Sequence, residues 1–243
     1  TYIGGLLGYC SENGIYESYA TGNVAGSIVR AGGLIGMSID SAAYNNYASG
    51  DVTGGEESVV GGLIGFSAYT AVSFGYWNSD AVHTLNGETV TDKKGVGECF
   101  ESGEDGTLSK TSEQMKSDDF AGLLNENRPE ELSNSWAIIE AVNNSYPVLA
   151  VTVTFDKNGG DTEAEPTSMA AAFGHALCSL PTPPAKSGYS FGGWYTEPEC
   201  VNRFNLAAPF TSSVTLYAKW NQNDSSGGPS LPVTYLITAS GND

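Results

Sequence analysis

The chain of 243 residues carries 28 Asp and Glu against 10 Lys and Arg, a net charge of −18, and no stretch of it is basic. A phosphate backbone or an anionic membrane surface would therefore be repelled, which excludes nucleic acid as a partner class. Hydrophobic residues make up 40% of the chain, enough for a real core, and 31 glycines with 13 tyrosines favour turn-rich β structure.

The first element is a repeat. Gly4-Gly5-Leu6-Leu7-Gly8 returns as Gly32-Gly33-Leu34-Ile35-Gly36 and again as Gly61-Gly62-Leu63-Ile64-Gly65. A second word, Tyr19-Ala20-Thr21-Gly22-Asn23-Val24, recurs in the same phase as Tyr47-Ala48-Ser49-Gly50-Asp51-Val52. Two words in register at one period mark a stacked architecture, in which each unit is too short to bury a face alone. Tyr, Val, Ile and Thr between glycines point to strands, so residues 1–82 are expected to form a glycine-rich β-solenoid of about three coils. In that arrangement Leu6, Leu34 and Leu63 form one internal column, and Leu7, Ile35 and Ile64 lie on the opposite side of the strand. The third unit ends differently, on Phe74-Gly75-Tyr76-Trp77-Asn78, whose aromatics would plug an open stack end. Within residues 1–82 seven acids face a single cation, Arg30.

Residues 83–150 read as the C-terminal cap of the solenoid, covering its end. The stretch 83–108 is polar and reads as loop. Thr111-Ser112-Glu113-Gln114 is a capping box that starts one helix near 111–125, with Met115, Phe120, Leu123 and Leu124 as its apolar face. Short strands are expected at Trp136–Ile139 and Tyr146–Leu149. Residues 151–221 form a separate small module: Val151–Phe155 alternates as a strand, Asn158-Gly159 is a tight-turn signal, and the aromatic strands Tyr189–Tyr195 and Val214–Trp220 close a core. A short helix is expected at Ser168–Phe173. Residues 222–243 open with linker composition and then begin a following segment.

Two resemblances rest on these words. The Gly-Gly-Leu-Leu/Ile-Gly units, with Tyr76-Trp77-Asn78 closing the array, resemble the GLUG repeat of bacterial surface and adhesin-like proteins. Residues Val153-Thr154-Phe155-Asp156, Asn158-Gly159-Gly160, Gly188-Tyr189, Phe191-Gly192-Gly193-Trp194-Tyr195 and Leu216-Tyr217-Ala218-Lys219-Trp220 resemble the Listeria–Bacteroides repeat, also called the internalin B-repeat. The second resemblance implies a β-grasp-like module that extends or displays its neighbours outside the cell and brings no catalytic residues. The expected fold class is thus mainly β: a solenoid, a helix-containing cap and a β-grasp-like module.

Several clusters invite a chemical reading. His175 and Cys178 are three apart and would share a helical face as a thiol–imidazole pair, though a surface His beside a packed Cys accounts for the same residues. Glu56-Glu57, Asp118-Asp119, Glu130-Glu131 and Glu197/Glu199 pair carboxylates by adjacency alone, short of the cleft that glycoside hydrolysis needs. Asp156–Asp161 and Glu101–Gly106 imitate calcium loops weakly, because position five of the first is Gly160 and position twelve is Thr167. Tyr16, Tyr19, Tyr47 and Tyr69 would make a sugar-stacking strip if exposed, while the aligned Tyr19 and Tyr47 suit a stacked ladder. Cys10, Cys99, Cys178 and Cys200 show no zinc spacing; Cys178 and Cys200 pair if the module is exported, and otherwise all four are free thiols. No apolar run of roughly 18 residues is present to insert into a membrane. The chain begins at Thr1 without a signal peptide, abruptly within a repeat, and is read as a piece of a longer protein. The expectation is a non-catalytic adhesin or spacer module on the bacterial cell surface, with no cofactor and with a host or cell-surface protein or glycan as partner. The alternative is a glycan-binding accessory region of a large secreted enzyme.

Overall fold

A computed structural model describes residues 1–100, 105–130, 132, 134–205 and 207–223. The linker and following segment expected over 222–243 lie outside the described residues beyond Asn223, as do Glu101–Glu104 and Glu131. The chain divides into two compact units. Among the described residues one holds Thr1–Thr154, Ser168–Leu180 and Asn205–Val214; the other holds Phe155–Thr167, Pro181–Phe204 and the residues from Thr215 to Asn223.

The first unit is a β-solenoid of about four turns. Tyr2–Gly4, Arg30–Gly32 and Val59–Gly61 stack in parallel as its first sheet. Leu7–Ser11, Ile35–Ile39, Ile64–Ala68 and Val96–Phe100 form the second. Gly14–Tyr16, Ala42–Ala48, Ala71–Asn78 and Thr107–Lys110 form the third. Val24–Gly26, Val52–Gly54 and His83–Leu85 form the fourth, with Glu88–Thr89 folded back on it in antiparallel. The pairs Gly4↔Gly32 and Gly61↔Gly32 show that one sequence unit is one coil.

The glycine words stand where the chain turns from the first sheet into the second. A Cβ on Gly32 would lie 2.0 Å from the Ile35 carbonyl oxygen, and one on Gly61 would lie 1.9 Å from that of Ile64. Backbone fills the space a side chain would need, so only glycine fits. The second glycine clears room for the next face: a Cβ on Gly62 would meet the Trp77 ring at 2.7 Å.

Three expectations change here. Leu34 and Leu63 sit in the bend before the strand, so the turn breaks the period of two. Both aliphatics of the word point inward, with Leu34, Ile35, Leu63 and Ile64 all at 0% exposure in one cluster. Leu6, at the stack end, is 47% exposed instead. Trp77 joins that core, because the strand Thr107–Lys110 pairs beside it as part of a fourth coil. Residues 83–108, read as loop, supply parallel strands to the second, third and fourth sheets.

The cap covers a flank, not an end. Thr111 and Gln114 exchange both capping-box hydrogen bonds, at 3.2 and 2.9 Å. The expected single helix is two, α1 (Ser112–Met115) and α2 (Asp118–Glu126), because the Ser117 hydroxyl caps the second by accepting from the Phe120 amide. Met115, Phe120, Leu124, Trp136 and Tyr146 then bury Tyr47 and Tyr76 on the third sheet. Glu17 ties the cap to the coils. Its carboxylate accepts from Asn45 Nδ2 and Trp136 Nε1, both at 2.7 Å, and lies 3.0 Å from Arg128 Nε as an ion pair whose N–H is not aligned for a hydrogen bond.

Ser135–Ala137 and Ser168–Ala172 pair antiparallel with Val148–Asp156. The Ser168–Phe173 helix is therefore a strand: Ala171 and Ala172 are buried at 2% and 4%, and small residues that pack in a sheet override the helix preference of alanine.

The second unit pairs Tyr189–Tyr195 antiparallel with Val214–Gln222, with an irregularity between Phe191 and Trp194 where Gly192 and Gly193 stand. Phe155, Phe191, Trp194 and Trp220 form its aromatic core, with Phe155 and Trp194 ring centroids 4.9 Å apart. Asn158 and Gly159 make a turn with φ of 45° and 78°. The Asn158 side chain donates to the Pro198 and Ala218 carbonyls at 2.8 and 3.1 Å and so pins the loop around Cys200.

Candidate functional site

The chemistry-bearing residues are brought together less than their spacing suggested. His175 follows a turn and bridges Phe210 in antiparallel, so it shares no helical face with Cys178. All four cysteines are free thiols. Glu56 and Glu57 sit exposed on a turn, and Asp118 and Asp119 occupy the first turn of α2, where they complement its dipole. Glu197 holds its own loop: the Thr196 hydroxyl and the Asn202 and Val201 amides donate to it and keep its carboxyl below the usual carboxylate range. Asp156 accepts from the Asn158 amide at 2.7 Å, so it is a turn-forming residue. Among the described residues no group of three His, Cys, Asp or Glu is placed to hold a metal.

His83 is a strongly perturbed titratable group. Its ring is 1% exposed, neither ring nitrogen has a hydrogen-bond partner, and the Trp77 ring lies 5.8 Å away. Burial and the Lys93 ammonium push its pKa down to about 4, against a smaller pull from Asp51. The imidazole is therefore neutral at pH 7 and sealed from solvent, which suits packing.

The tyrosines separate into two sets. Tyr19 and Tyr47 stack with centroids 5.3 Å apart and planes 8° from parallel, and the cap covers them. The stacked-ladder reading holds for this pair. Tyr16 and Tyr69 stay exposed, on the outside of separate corners.

A second aromatic seam was missed because its members lie in no common word. Tyr9, Met37 and Phe66 occupy one register row of the second sheet, alternating with buried Cys10, Ser38 and Ser67. Tyr2, Arg30 and Val59 occupy one row of the first sheet. The Tyr2 and Tyr9 rings meet at 5.7 Å, and the Arg30 guanidinium lies 4.7 Å from the Phe66 ring centre. Tyr2 and Tyr9 are 41% and 50% exposed, so the rows meet in an open platform. The period of 28–29 residues, applied to every position and not only to the glycine words, would have aligned these residues.

Comparison with known proteins decides the C-terminal module. Residues 152–219 match the Listeria-Bacteroides repeat domain. Two curated relatives, both from Evansella cellulosilytica, are similar over 79 residues. One, named "Putative membrane protein", is 37% identical over 32% of this chain and 11% of its own length. The other, named "Putative Gly-rich membrane protein", is 35% identical over 32% of this chain and 9% of its own. The chain thus spans about a tenth of the length of the curated relatives it matches. No solved structure matches it. Among the described residues no helix is long and apolar enough to cross a membrane.

Proposed function

We propose that this chain is a non-catalytic module of a bacterial cell-surface protein, acting as adhesin or spacer within a larger exported chain. The observation that carries the reading is the Listeria-Bacteroides repeat domain at residues 152–219. The solenoid before it supports the same reading. Its glycine words each set one coil, which supports reading them as GLUG-type repeats, and the Glu17–Arg128 ion pair ties the cap to the coils. The relatives' names as membrane proteins agree with an envelope location. The partner is a host or cell-surface protein or glycan.

The alternative, a glycan-binding accessory region of a secreted enzyme, draws on the exposed Tyr2–Tyr9 platform. Antibody against residues 1–223 tests the primary reading on the source bacterium. Labelling of intact cells is expected. Labelling only after permeabilisation would contradict a surface location.

A further inference from the structure

We propose that the seam of Tyr2, Tyr9, Arg30, Met37 and Phe66 is a binding site for an oligosaccharide that ends in a carboxylate-bearing sugar. The inference deepens the surface reading and rests on it for access to such a ligand.

Three observations converge. The first is the platform: two tyrosine rings 5.7 Å apart and about half exposed, continued by Met37 and Phe66 in register on the next two coils. Coils in parallel register repeat at about 4.8 Å, so the row spans roughly two rungs. Tyrosine is rigid and amphipathic and offers a flat face with a polar edge, which suits the C–H face and hydroxyls of a pyranose.

The second is charge. Arg30 is the only cation before Lys93, in a chain of net charge −18. Among the described residues no carboxylate lies within ion-pair distance of it, and its Nε is buried without a hydrogen-bond partner. Its guanidinium carbon stands 4.7 Å from the Phe66 ring centre. Cation–π attraction fixes the guanidinium over the ring, and its planar fork of donors matches a carboxylate.

The third is the form of the ligand. A polyanionic glycan would meet the field of 28 acidic residues along its length. A single terminal carboxylate meets one cation, while neutral sugars lie over Tyr9, Met37 and Phe66, the uncharged part of a row that ends on Glu98 beside Phe66. Glu57 shares a small hollow with Arg30 and competes with the ligand from beyond ion-pair distance.

The probe is 3′-sialyllactose against lactose, titrated into the full chain and followed by calorimetry and by ring-proton NMR. Sialyllactose should bind at least tenfold more tightly than lactose, the ratio for one charge-assisted pair of about 1.4 kcal/mol. Arg30→Gln should erase that ratio and leave lactose binding unchanged. Tyr9→Ala should weaken both sugars, and Glu57→Gln should tighten sialyllactose alone. Circular dichroism and urea midpoints establish that each variant is folded. Absence of binding by either sugar would overturn the inference, and so would equal affinity for the two or an Arg30→Gln protein that still discriminates. None of these failures touches the surface reading, which antibody labelling of cells decides separately.

Discussion

Two aromatic columns run along the same solenoid and meet opposite fates. Tyr19 and Tyr47 on the third sheet lie under α2, Trp136 and Tyr146, and Tyr47 is fully buried. Among the described residues none caps Tyr2 and Tyr9, on the first and second sheets, and both stay about half exposed. Tyr19 and Tyr47 keep the period of the coil, and so do Tyr9, Met37 and Phe66, the row beside Tyr2. Periodicity thus reports which residues stack, and a segment outside the repeat decides which stack becomes core and which remains available to a ligand.

The difference can be broken in order of size. Gly61→Val should be the most damaging change, because its Cβ would lie 1.9 Å from the Ile64 carbonyl oxygen in the middle of the stack. A loss of about 4 kcal/mol or more is expected, and urea unfolding would read it as an early midpoint or no fold. Tyr47→Ala removes a ring packed against Tyr19, Phe120 and Trp136 and should cost about 3–5 kcal/mol. Tyr9→Ala, at the matched exposed column, should cost under about 0.5 kcal/mol. A near-equal cost for these two would mean that the cap does not distinguish the columns.

Between those sizes lies a pH effect. His83 is depressed from 6.5 in the unfolded chain to about 4 in the fold. The unfolded state therefore binds more protons between those values, and stability falls as pH drops from about 6.5 towards 4. The contribution should be about 2 kcal/mol. It can be read as the difference in urea midpoint between the chain and its His83→Phe variant at pH 7 and pH 4.5. A variant with the same acid sensitivity as the parent would contradict the assignment to His83.

Much of this fold was legible because the glycine words are backbone contacts, and contacts of that kind admit no substitute. The Thr111–Gln114 capping box was equally plain, since both of its hydrogen bonds are local. What escaped was set by long-range packing. Leu34 and Ile35 both point inward because a corner interrupts the strand period. Several corners turn through left-handed residues that are not glycine, among them Glu17, Asn45 and Phe74 with φ of 50°, 53° and 52°, so composition gave no signal there. Ser168–Ala172 is a strand because its neighbour Val148–Asp156 offers a pairing edge. The seam of Tyr2, Tyr9, Arg30 and Phe66 joins residues 64 positions apart across two sheets, and only the coil register brings them together.

The central claim, that one aromatic column is sealed and the other is open, is tested most directly by residue-resolved tyrosine modification. The native chain would be treated with a phenol-directed reagent at mildly alkaline pH and each tyrosine quantified by mass spectrometry. Burial raises the Tyr47 phenol above its ordinary pKa, so both access and ionisation protect it. Tyr2 and Tyr9 should be modified rapidly, and Tyr47 and Tyr76 should stay protected until denaturant is added. Modification of Tyr47 as fast as Tyr9 in the folded chain would contradict that claim.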